Sequence, residues 1–212
     1  MQLNAYIDHT ILKPTATQAD IAQLCQEAIA HGFYAVCVNG CWVDLAKKLL
    51  SKSEVKLAAV VGFPLGAMHT DVKVFEALKA VSDGADEIDM VINIAWAKQA
   101  DWQAVTQEID TIKKAIGEKI LKVIIETCYL TDAEIISAAK ACLEAKADFV
   151  KTSTGFGTKG ATLEDVKRIK DTIGNRAQIK ASGGIKDKET ALKFLSLGVS
   201  RLGTSSGVDL VQ

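Results

Sequence analysis

The stretch ILKVIIETCYLTDAEIISAAKACLEAKADFVKTS, residues 120–153, contains two apolar runs on either side of an amphipathic segment. The runs ILKVIIET (120–127) and DFVKTS (148–153) have the β-branched and apolar composition that is typical of buried strands. Between them, Thr131 precedes apolar residues at helical spacing, and a threonine in this place is typical of a helix N-cap. A strand, a helix and a second strand in succession predict one parallel βαβ unit.

The same alternation continues through the whole chain. Thr17 and Gly32 bound a second predicted helix, and Thr162 and Gly174 bound a third. Eight strands are predicted, at residues 6–11, 33–39, 56–63, 86–93, 120–127, 148–153, 177–182 and 200–205. We therefore predict an α/β fold, a single (β/α)8 TIM barrel that occupies residues 1–212 as one domain. Only SGVDLVQ follows the last strand, so the last helix should be shortened. An open doubly wound sheet is the alternative, but the sequence lacks its GxGxxG fingerprint.

Composition argues against several classes of function. The chain has 212 residues, 49% of them hydrophobic, and a formal net charge of −1. Because acids and bases are interspersed, we expect no concentrated basic face for nucleic acid or a membrane surface. The N-terminal MQLNAYIDHT does not resemble a signal peptide, and no segment has the roughly 18 apolar residues of a membrane span. Five cysteines without a CxxC pair favour free thiols and a cytoplasmic protein: Cys25, Cys37, Cys41, Cys128 and Cys142.

Two lysines lie where a barrel carries its functional residues, at the C-terminal ends of strands. Lys151 ends the sixth strand and Lys180 lies in the seventh. Side by side, each ammonium group disfavours the charge of the other, and burial lowers a lysine pKa further. A neutral lysine is a nucleophile toward a carbonyl, and Asp89 in the fourth strand is a candidate proton carrier. Asp8 lies in the first strand. The residues alone leave an alternative open, in which the lysines are solvated strand ends and the aspartates are structural hydrogen-bond acceptors.

Two turns rich in glycine and hydroxyl residues follow the last two predicted strands, ASGGI (181–185) and GTSSG (203–207). The loops in these positions form the usual phosphate site of the barrel fold. A third turn, STG (153–155), lies beside Lys151. The candidate phosphate-binding residues are Gly183, Gly184, Ser205 and Ser206. Ordinary turn chemistry is the alternative interpretation of each turn.

Metal and thiol chemistry are weaker interpretations. His9, His31 and His69 are widely separated, so no metal site is predicted. Cys37 lies near the end of the second strand with no histidine obviously paired with it. We interpret it as a packed thiol rather than as a nucleophile.

The segments YIDHTILKP, VCVNGCWV, VVGFPLGA, GADEIDMVIN, KVIIETCYLTD, ADFVKTSTGFG, IKASGGIK and GTSSG occur in that order. Together they resemble the bacterial 2-deoxyribose-5-phosphate aldolase family over nearly the whole chain. The resemblance implies a metal-free class I aldolase of deoxyribose phosphate catabolism, with no cofactor beyond a covalent imine on Lys151. It implies reversible cleavage of 2-deoxy-D-ribose 5-phosphate to acetaldehyde and D-glyceraldehyde 3-phosphate. Its partners would be these small molecules and further copies of the chain, in a homodimer or homotetramer.

The resemblance also implies roles for single residues. Lys151 matches the Schiff-base lysine, and Lys180 matches the second lysine that perturbs its pKa. Asp89 matches the proton-relay aspartate, and Asp8 matches an aspartate that supports the lysines. The positions that match substrate or phosphate contacts are Thr154, Gly183, Gly184, Ser205 and Ser206. Cys37 matches a cysteine that lies near the pocket without taking part in catalysis.

The chain departs from the family pattern in three places. Gly40 stands where a proline is expected, and Phe156 stands where some longer members carry a lysine near the phosphate. Either Lys159 is its substitute or backbone amides alone hold the phosphate. The chain stops at Gln212, without the terminal tyrosine of longer members, so we expect slower proton exchange at C2. Two other functions stay open, a different phosphosugar lyase or isomerase and a phosphosugar-binding module without catalysis.

Overall fold

Eight parallel strands form the centre of the structure, a computed structural model that describes residues 2–212. The strands are β1 (Ile7–Ile11), β2 (Ala35–Val38), β3 (Lys56–Val61), β4 (Glu87–Val91), β5 (Ile120–Ile124), β6 (Phe149–Lys151), β7 (Gln178–Ser182) and β8 (Arg201–Thr204). Each strand pairs with its neighbours in sequence, and β8 pairs with β1, so the sheet closes. The predicted (β/α)8 barrel is confirmed.

Helices follow the strands and cover the outside of the barrel. They are α1 (Gln18–His31), α2 (Val43–Leu50), α3 (Thr70–Ser82), α4 (Ile94–Lys98), α5 (Trp102–Ile116), α6 (Asp132–Glu144), α7 (Leu163–Ile173), α8 (Lys188–Ser196) and α9 (Gly207–Val211). Short 3-10 helices occur at Leu3–Tyr6, Gly40–Trp42 and Thr127–Tyr129. As predicted, the last helix is short. Each helix within residues 2–212 is too short or too polar to span a lipid bilayer.

Local sequence explains where three of the helices begin and end. The side-chain oxygens of Thr17, Thr131 and Thr162 accept hydrogen bonds from backbone N–H groups in the first turn of α1, α6 and α7. At the end of α1, Gly32 has φ +62°, a left-handed conformation that favours glycine. The three predicted N-caps are confirmed.

Strand alternation places the charged residues inside the barrel. The apolar faces of the strands and the inner faces of the helices form the main core, in which Ile88, Met90 and Val150 are buried. The charged side chains of the same strands are buried as well, on the other face. The register of β6 and β7 sets Lys151 opposite Lys180, as predicted from their neighbouring strands. Burial of several charges in one place requires that they neutralise one another.

Candidate active site

The carboxylate of Asp89 is the meeting point of three lysines inside the barrel. Lys151 Nζ and Lys180 Nζ donate to the same oxygen, Asp89 Oδ2, at 2.8 and 2.7 Å. Lys122 Nζ donates to the other oxygen, Oδ1, at 2.7 Å. All four side chains are buried. The structure thus brings together the three residues that sequence analysis singled out and adds Lys122, which it missed.

A second set of ion pairs adjoins the first. Asp8 accepts hydrogen bonds from Lys180 Nζ and from Arg201 Nε, the latter at 2.6 Å. Arg201 also donates to both oxygens of Glu87, at 3.1 and 2.7 Å. Lys122 Nζ lies 2.5 Å from Glu87 Oε2. Asp8 therefore contacts Lys180 directly, and the network extends across the barrel to β8.

This network holds more cations than carboxylates. The cations are Lys122, Lys151, Lys180 and Arg201, and the carboxylates are Asp8, Glu87 and Asp89. With every group charged, the cluster carries one excess positive charge away from water, which is unfavourable. Burial lowers the pKa of Lys151, and the charge of Lys180 lowers it further while Asp89 opposes the change. Loss of the Lys151 proton removes the excess charge and leaves a free amine.

Lys180 differs from Lys151 in the number of carboxylates that hold it. Burial disfavours its charge, but Asp8 and Asp89 together raise its pKa above that of an ordinary lysine. Although burial opposes ionisation of Asp89, the three lysines around it hold its pKa well below the usual range. The cluster therefore combines a lysine with a lowered pKa, a lysine with a raised pKa and a carboxylate whose Oδ2 accepts a hydrogen bond from each of them.

Cys37 borders the same cluster from β2. Its Sγ lies 4.0 Å from Asp89 Oδ2. Burial raises the pKa of the Cys37 thiol, because the thiolate is disfavoured away from water. The thiol form is a poor nucleophile, which agrees with its interpretation as a packed neighbour of the site.

A cavity of about 500 Å³ opens above Lys151 at the C-terminal ends of the strands. The predicted site residues that line it are Lys151, Thr154, Gly183, Gly184 and Ser205. The other predicted site residues do not line it and are Asp8, Cys37, Asp89, Lys180 and Ser206. Most of this second set is buried in the charge network, whereas the backbone N–H of Ser206 donates to Thr204 Oγ1 at 2.9 Å.

The glycine turn after β7 has a backbone reason for its composition. Gly183 has φ +85°, and a Cβ there would lie 2.9 Å from the Cα of Gly160. Gly184 has φ +79°. Residues with side chains rarely adopt these conformations. The turn therefore needs glycine with or without a ligand, and the phosphate-binding role stays a prediction.

The wall of the cavity also contains residues that sequence analysis did not place there. Lys13 and Lys186 line the cavity, whereas Lys159, the expected substitute for the missing family lysine, does not. Phe156 lies on the wall and packs edge-to-face against Phe63, with ring centroids 5.4 Å apart. Two basic side chains thus lie on the same cavity wall as the glycine turn.

The largest of the other grooves within residues 2–212 lacks this chemistry. A groove of about 800 Å³ between α5 and α6 is larger, but no member of the charge network lines it. Among residues 2–212, no three histidine, cysteine, aspartate or glutamate side chains are grouped so that they could hold a metal ion. His9, for example, pairs with Glu27, with 2.7 Å between Nε2 and Oε2.

The residues missed by sequence analysis carried a signal. Lys122 interrupts the apolar run ILKVIIET, and Arg201 precedes Leu202 in the last strand. Glu87 is two residues before Asp89 and therefore faces the same side of β4. A search for every charge on the inner face of a predicted strand would have found all three. Glu126 is four residues after Lys122 in the run predicted as a strand, so the same search would have found it, although the observed β5 ends at Ile124.

The chain matches the model of the DeoC/LacD family aldolases over residues 3–210. A deoxyribose-phosphate aldolase from Thermococcus gammatolerans is 56% identical to it, across 100% of this chain and 96% of that protein.

Solved structures show the same likeness. The aldolase named QR15 is 44% identical, with a TM-score of 0.95 over 99% of this chain and 94% of that one. The structure of the deoxyribose phosphate aldolase from Aeropyrum pernix, described as a unique tetramer, is 33% identical. Its TM-score is 0.89 over 99% of this chain and 89% of that one. Full-length similarity, together with the lysine cluster, leads to one conclusion: the chain belongs to the DeoC/LacD family of aldolases.

Proposed function

We propose that this aldolase reversibly cleaves 2-deoxy-D-ribose 5-phosphate to acetaldehyde and D-glyceraldehyde 3-phosphate through an imine on Lys151. The observation that carries the proposal is the position of Lys151, which borders the cavity, has a lowered pKa and shares Asp89 Oδ2 with Lys180. The relative from Thermococcus gammatolerans carries the name of this activity.

The chemistry begins with the neutral amine of Lys151, which attacks C1 of the open-chain aldehyde. Loss of water gives an iminium ion that withdraws electrons from the neighbouring carbon. As the C3 hydroxyl group loses its proton, the C2–C3 bond breaks and D-glyceraldehyde 3-phosphate leaves. The remaining enamine takes a proton at C2, and water hydrolyses the resulting imine to acetaldehyde and free Lys151. The imine itself accepts the electron pair, so no metal or cofactor is needed.

Proton transfer is assigned to Asp89 and Lys180, with a water molecule between them and the substrate. Asp89 and Lys180 lie within hydrogen-bond distance of each other. Lys180 keeps its charge because the carboxylate of Asp8 raises its pKa. Asp8 has no place in the cavity wall, so its assigned role is to hold Lys180 protonated. The positive charge of Lys180 between these transfers helps to keep Lys151 neutral.

The phosphate group is assigned to the end of the cavity formed by the turns after β7 and β8. Gly183, Gly184, Ser205 and Ser206 are assigned to the phosphate, and Thr154 is assigned to the adjoining part of the substrate. The cations Lys13 and Lys186 on the cavity wall favour a dianionic ligand there. The substrate would thus lie with C1 at Lys151 and its phosphate at the glycine turn.

We also propose that the whole of residues 1–212 acts as one aldolase domain that forms a homodimer or homotetramer in the cytoplasm. The relative from Aeropyrum pernix is described as tetrameric. The cysteines are free thiols, which fits a reducing compartment. Light scattering coupled to size-exclusion chromatography tests the assembly, and a monomer at micromolar concentration would contradict it.

Borohydride trapping tests the mechanism. Protein treated with acetaldehyde and sodium borohydride should gain one reduced two-carbon adduct, mapped by mass spectrometry to Lys151. Lys151→Ala should gain none there. A folded wild-type protein without the adduct would exclude the imine. An adduct without release of D-glyceraldehyde 3-phosphate from 2-deoxy-D-ribose 5-phosphate would leave the imine but exclude the proposed substrate.

A further inference from the structure

Glu126 follows β5 at the end of the barrel that carries the cavity. Its backbone is left-handed, with φ 52° and ψ 67°. A side chain with a Cβ rarely adopts this conformation, and strained residues of this kind cluster at functional sites. The carboxylate is buried, and burial raises the pKa of the Glu126 carboxyl above its ordinary value. A strained backbone thus holds a buried carboxyl group against the loop that follows Lys151.

The partner of Glu126 is Thr154, in the turn after Lys151. The backbone N–H of Thr154 donates to Glu126 Oε1 at 3.1 Å and to Oε2 at 3.3 Å. The Thr154 hydroxyl donates to the same carboxylate. The next loop residues also lie against Glu126, because a Cβ on Gly157 would come within 3.3 Å of its Cδ. Glu126 therefore fixes the loop that forms one wall of the cavity.

These bonds decide which way the Thr154 hydroxyl group is turned. A hydroxyl group has one hydrogen to donate and two lone pairs that accept. The hydrogen goes to Glu126, and one lone pair accepts from the backbone N–H of Phe156 at 2.9 Å. One lone pair is left, on a residue that lines the cavity. With its hydrogen committed, Thr154 Oγ1 can only accept a hydrogen bond from a ligand.

We propose that Glu126 is a positioning residue that turns the Thr154 hydroxyl into an acceptor for a hydroxyl group on the three-carbon portion of the sugar phosphate. The inference rests on the proposed function, since it concerns the same cavity and substrate. Glu126 itself does not line the cavity, so it acts through Thr154. Glutamine at this position would present an amide hydrogen to one of the two Thr154 donors. The hydroxyl would then have to turn its hydrogen away and meet the substrate as a donor.

The two substrates of the reaction separate this role from a general structural one. The sugar phosphate carries hydroxyl groups on its three-carbon portion, and acetaldehyde carries none. A lost acceptor for these hydroxyl groups should slow sugar cleavage while leaving the enamine chemistry of acetaldehyde intact. A collapsed loop or a displaced Lys151 would slow both reactions together.

The test compares wild type, Glu126→Gln, Thr154→Val and the double variant. For each, kcat and KM are measured for 2-deoxy-D-ribose 5-phosphate, and NMR in D2O follows deuterium exchange into the methyl group of acetaldehyde. Misplacement of a substrate group commonly costs up to about 100-fold, so we expect kcat for cleavage to fall roughly 10- to 100-fold in each single variant. Exchange should stay within about 2-fold of wild type, and the double variant should be no worse than the poorer single variant, because both changes break one interaction.

Each outcome decides a separate question. Unchanged cleavage in Glu126→Gln, or an equal loss of cleavage and exchange, would overturn the positioning role. Additive losses in the double variant would overturn the route through Thr154. If Glu126→Gln does not fold, Thr154→Val alone must still show the selective loss, and wild-type cleavage in that variant overturns the proposal. A wild-type protein that exchanges acetaldehyde but cleaves no 2-deoxy-D-ribose 5-phosphate would instead refute the proposed function.

Discussion

Lys73 and Lys151 are both buried lysines bound to carboxylates, yet only one of them borders a cavity. Lys73 lies on α3, outside the barrel, and its Nζ donates to Glu108 Oε1 and to the carbonyl oxygen of Val91, each at 2.8 Å. Lys151 lies inside the barrel and shares one oxygen of Asp89 with a second lysine. Burial lowers the pKa of both lysines.

The difference shows that burial alone does not make a reactive amine. Lys73 has a carboxylate of its own, so its pair is neutral when both groups are charged. Lys151 belongs to a cluster in which one cation has no carboxylate of its own, and it faces the cavity. Two features therefore distinguish Lys151, the proposed reactive lysine, from Lys73: it shares its carboxylate with other cations, and it borders a cavity.

The largest effect should come from removal of the reactive lysine. Lys151→Met removes the only proposed nucleophile, and we expect kcat/KM for 2-deoxy-D-ribose 5-phosphate to fall about 10⁴-fold or more, as with other lost nucleophiles. The melting temperature should not fall, because an apolar side chain of similar length replaces a neutral amine and the remaining charges of the cluster stay balanced. Steady-state kinetics and calorimetry check both. Substantial residual turnover, with no adduct elsewhere, would remove the contrast with Lys73.

Lys73→Met should have the opposite profile. It leaves Glu108 buried without its cation, and breaking such a pair typically destabilises a protein by about 3–5 kcal/mol. Since Lys73 is remote from the cavity, kcat of the folded protein should stay within about 3-fold, a change of under 1 kcal/mol in the barrier. Urea denaturation measures the first effect. The double variant Lys73→Met with Glu108→Leu serves as the control and should recover part of the stability.

Removal of Lys180 should make the charge balance of the cluster like that of the Lys73–Glu108 pair. In Lys180→Met, the remaining cations and carboxylates are equal in number, so the pKa of Lys151 should rise. A higher pKa leaves less neutral amine at pH 7, and the neutral fraction falls about tenfold for each increase of one in the pKa. We therefore expect borohydride trapping at pH 7 to be slower in the variant than in wild type, by about tenfold or more.

The pH dependence of borohydride trapping shows in which direction Lys180 shifts the pKa of Lys151. In wild type, trapping should increase with pH through the lowered pKa of Lys151, below the ordinary lysine value of 10.5. In Lys180→Met, the increase should move to higher pH, so the deficit shrinks as the solution becomes more alkaline. Parallel profiles with the same midpoint would mean that Lys180 does not influence the charge of Lys151.

The smallest effect should come from the addition of a solvent-exposed lysine to the cavity wall. Phe156→Lys places a cation on the cavity wall, where exposed pairs contribute about 0.2–1 kcal/mol. KM for 2-deoxy-D-ribose 5-phosphate should fall by up to about 5-fold, which corresponds to about 1 kcal/mol. KM for 2-deoxy-D-ribose without phosphate should not change. An equal effect on both sugars would place the phosphate elsewhere.

Much of the barrel follows from local patterns, because strand alternation and helix caps are read within a few residues. Lys151 and Lys180 are found in this way, since each lies at the end of a short apolar run. The sixth strand is nevertheless predicted as 148–153, whereas β6 is Phe149–Lys151. The chain leaves the strand conformation directly after Lys151 to form the turn that carries Thr154.

The charge balance of the cluster is not accessible from local patterns. Arg201 and Glu87 are 114 positions apart, and Lys151 and Asp89 are 62 apart. The pairing of carboxylates with cations depends on closure of the barrel and not on neighbours in sequence. The conformation of Glu126 is likewise imposed by its tertiary contacts, since left-handed backbone at a glutamate has no sequence signature.

The pairing of β8 with β1 has a consequence for synthesis of the protein. Asp8 contacts Lys180, 172 positions later, and Arg201, 193 positions later. A ribosome therefore delivers Arg201 long after Asp8. The carboxylate that keeps Lys180 charged is thus held in place only after Arg201 has been synthesised. A growing chain carries Lys151 as an ordinary protonated lysine, and an amine able to capture aldehydes arises only in the finished barrel.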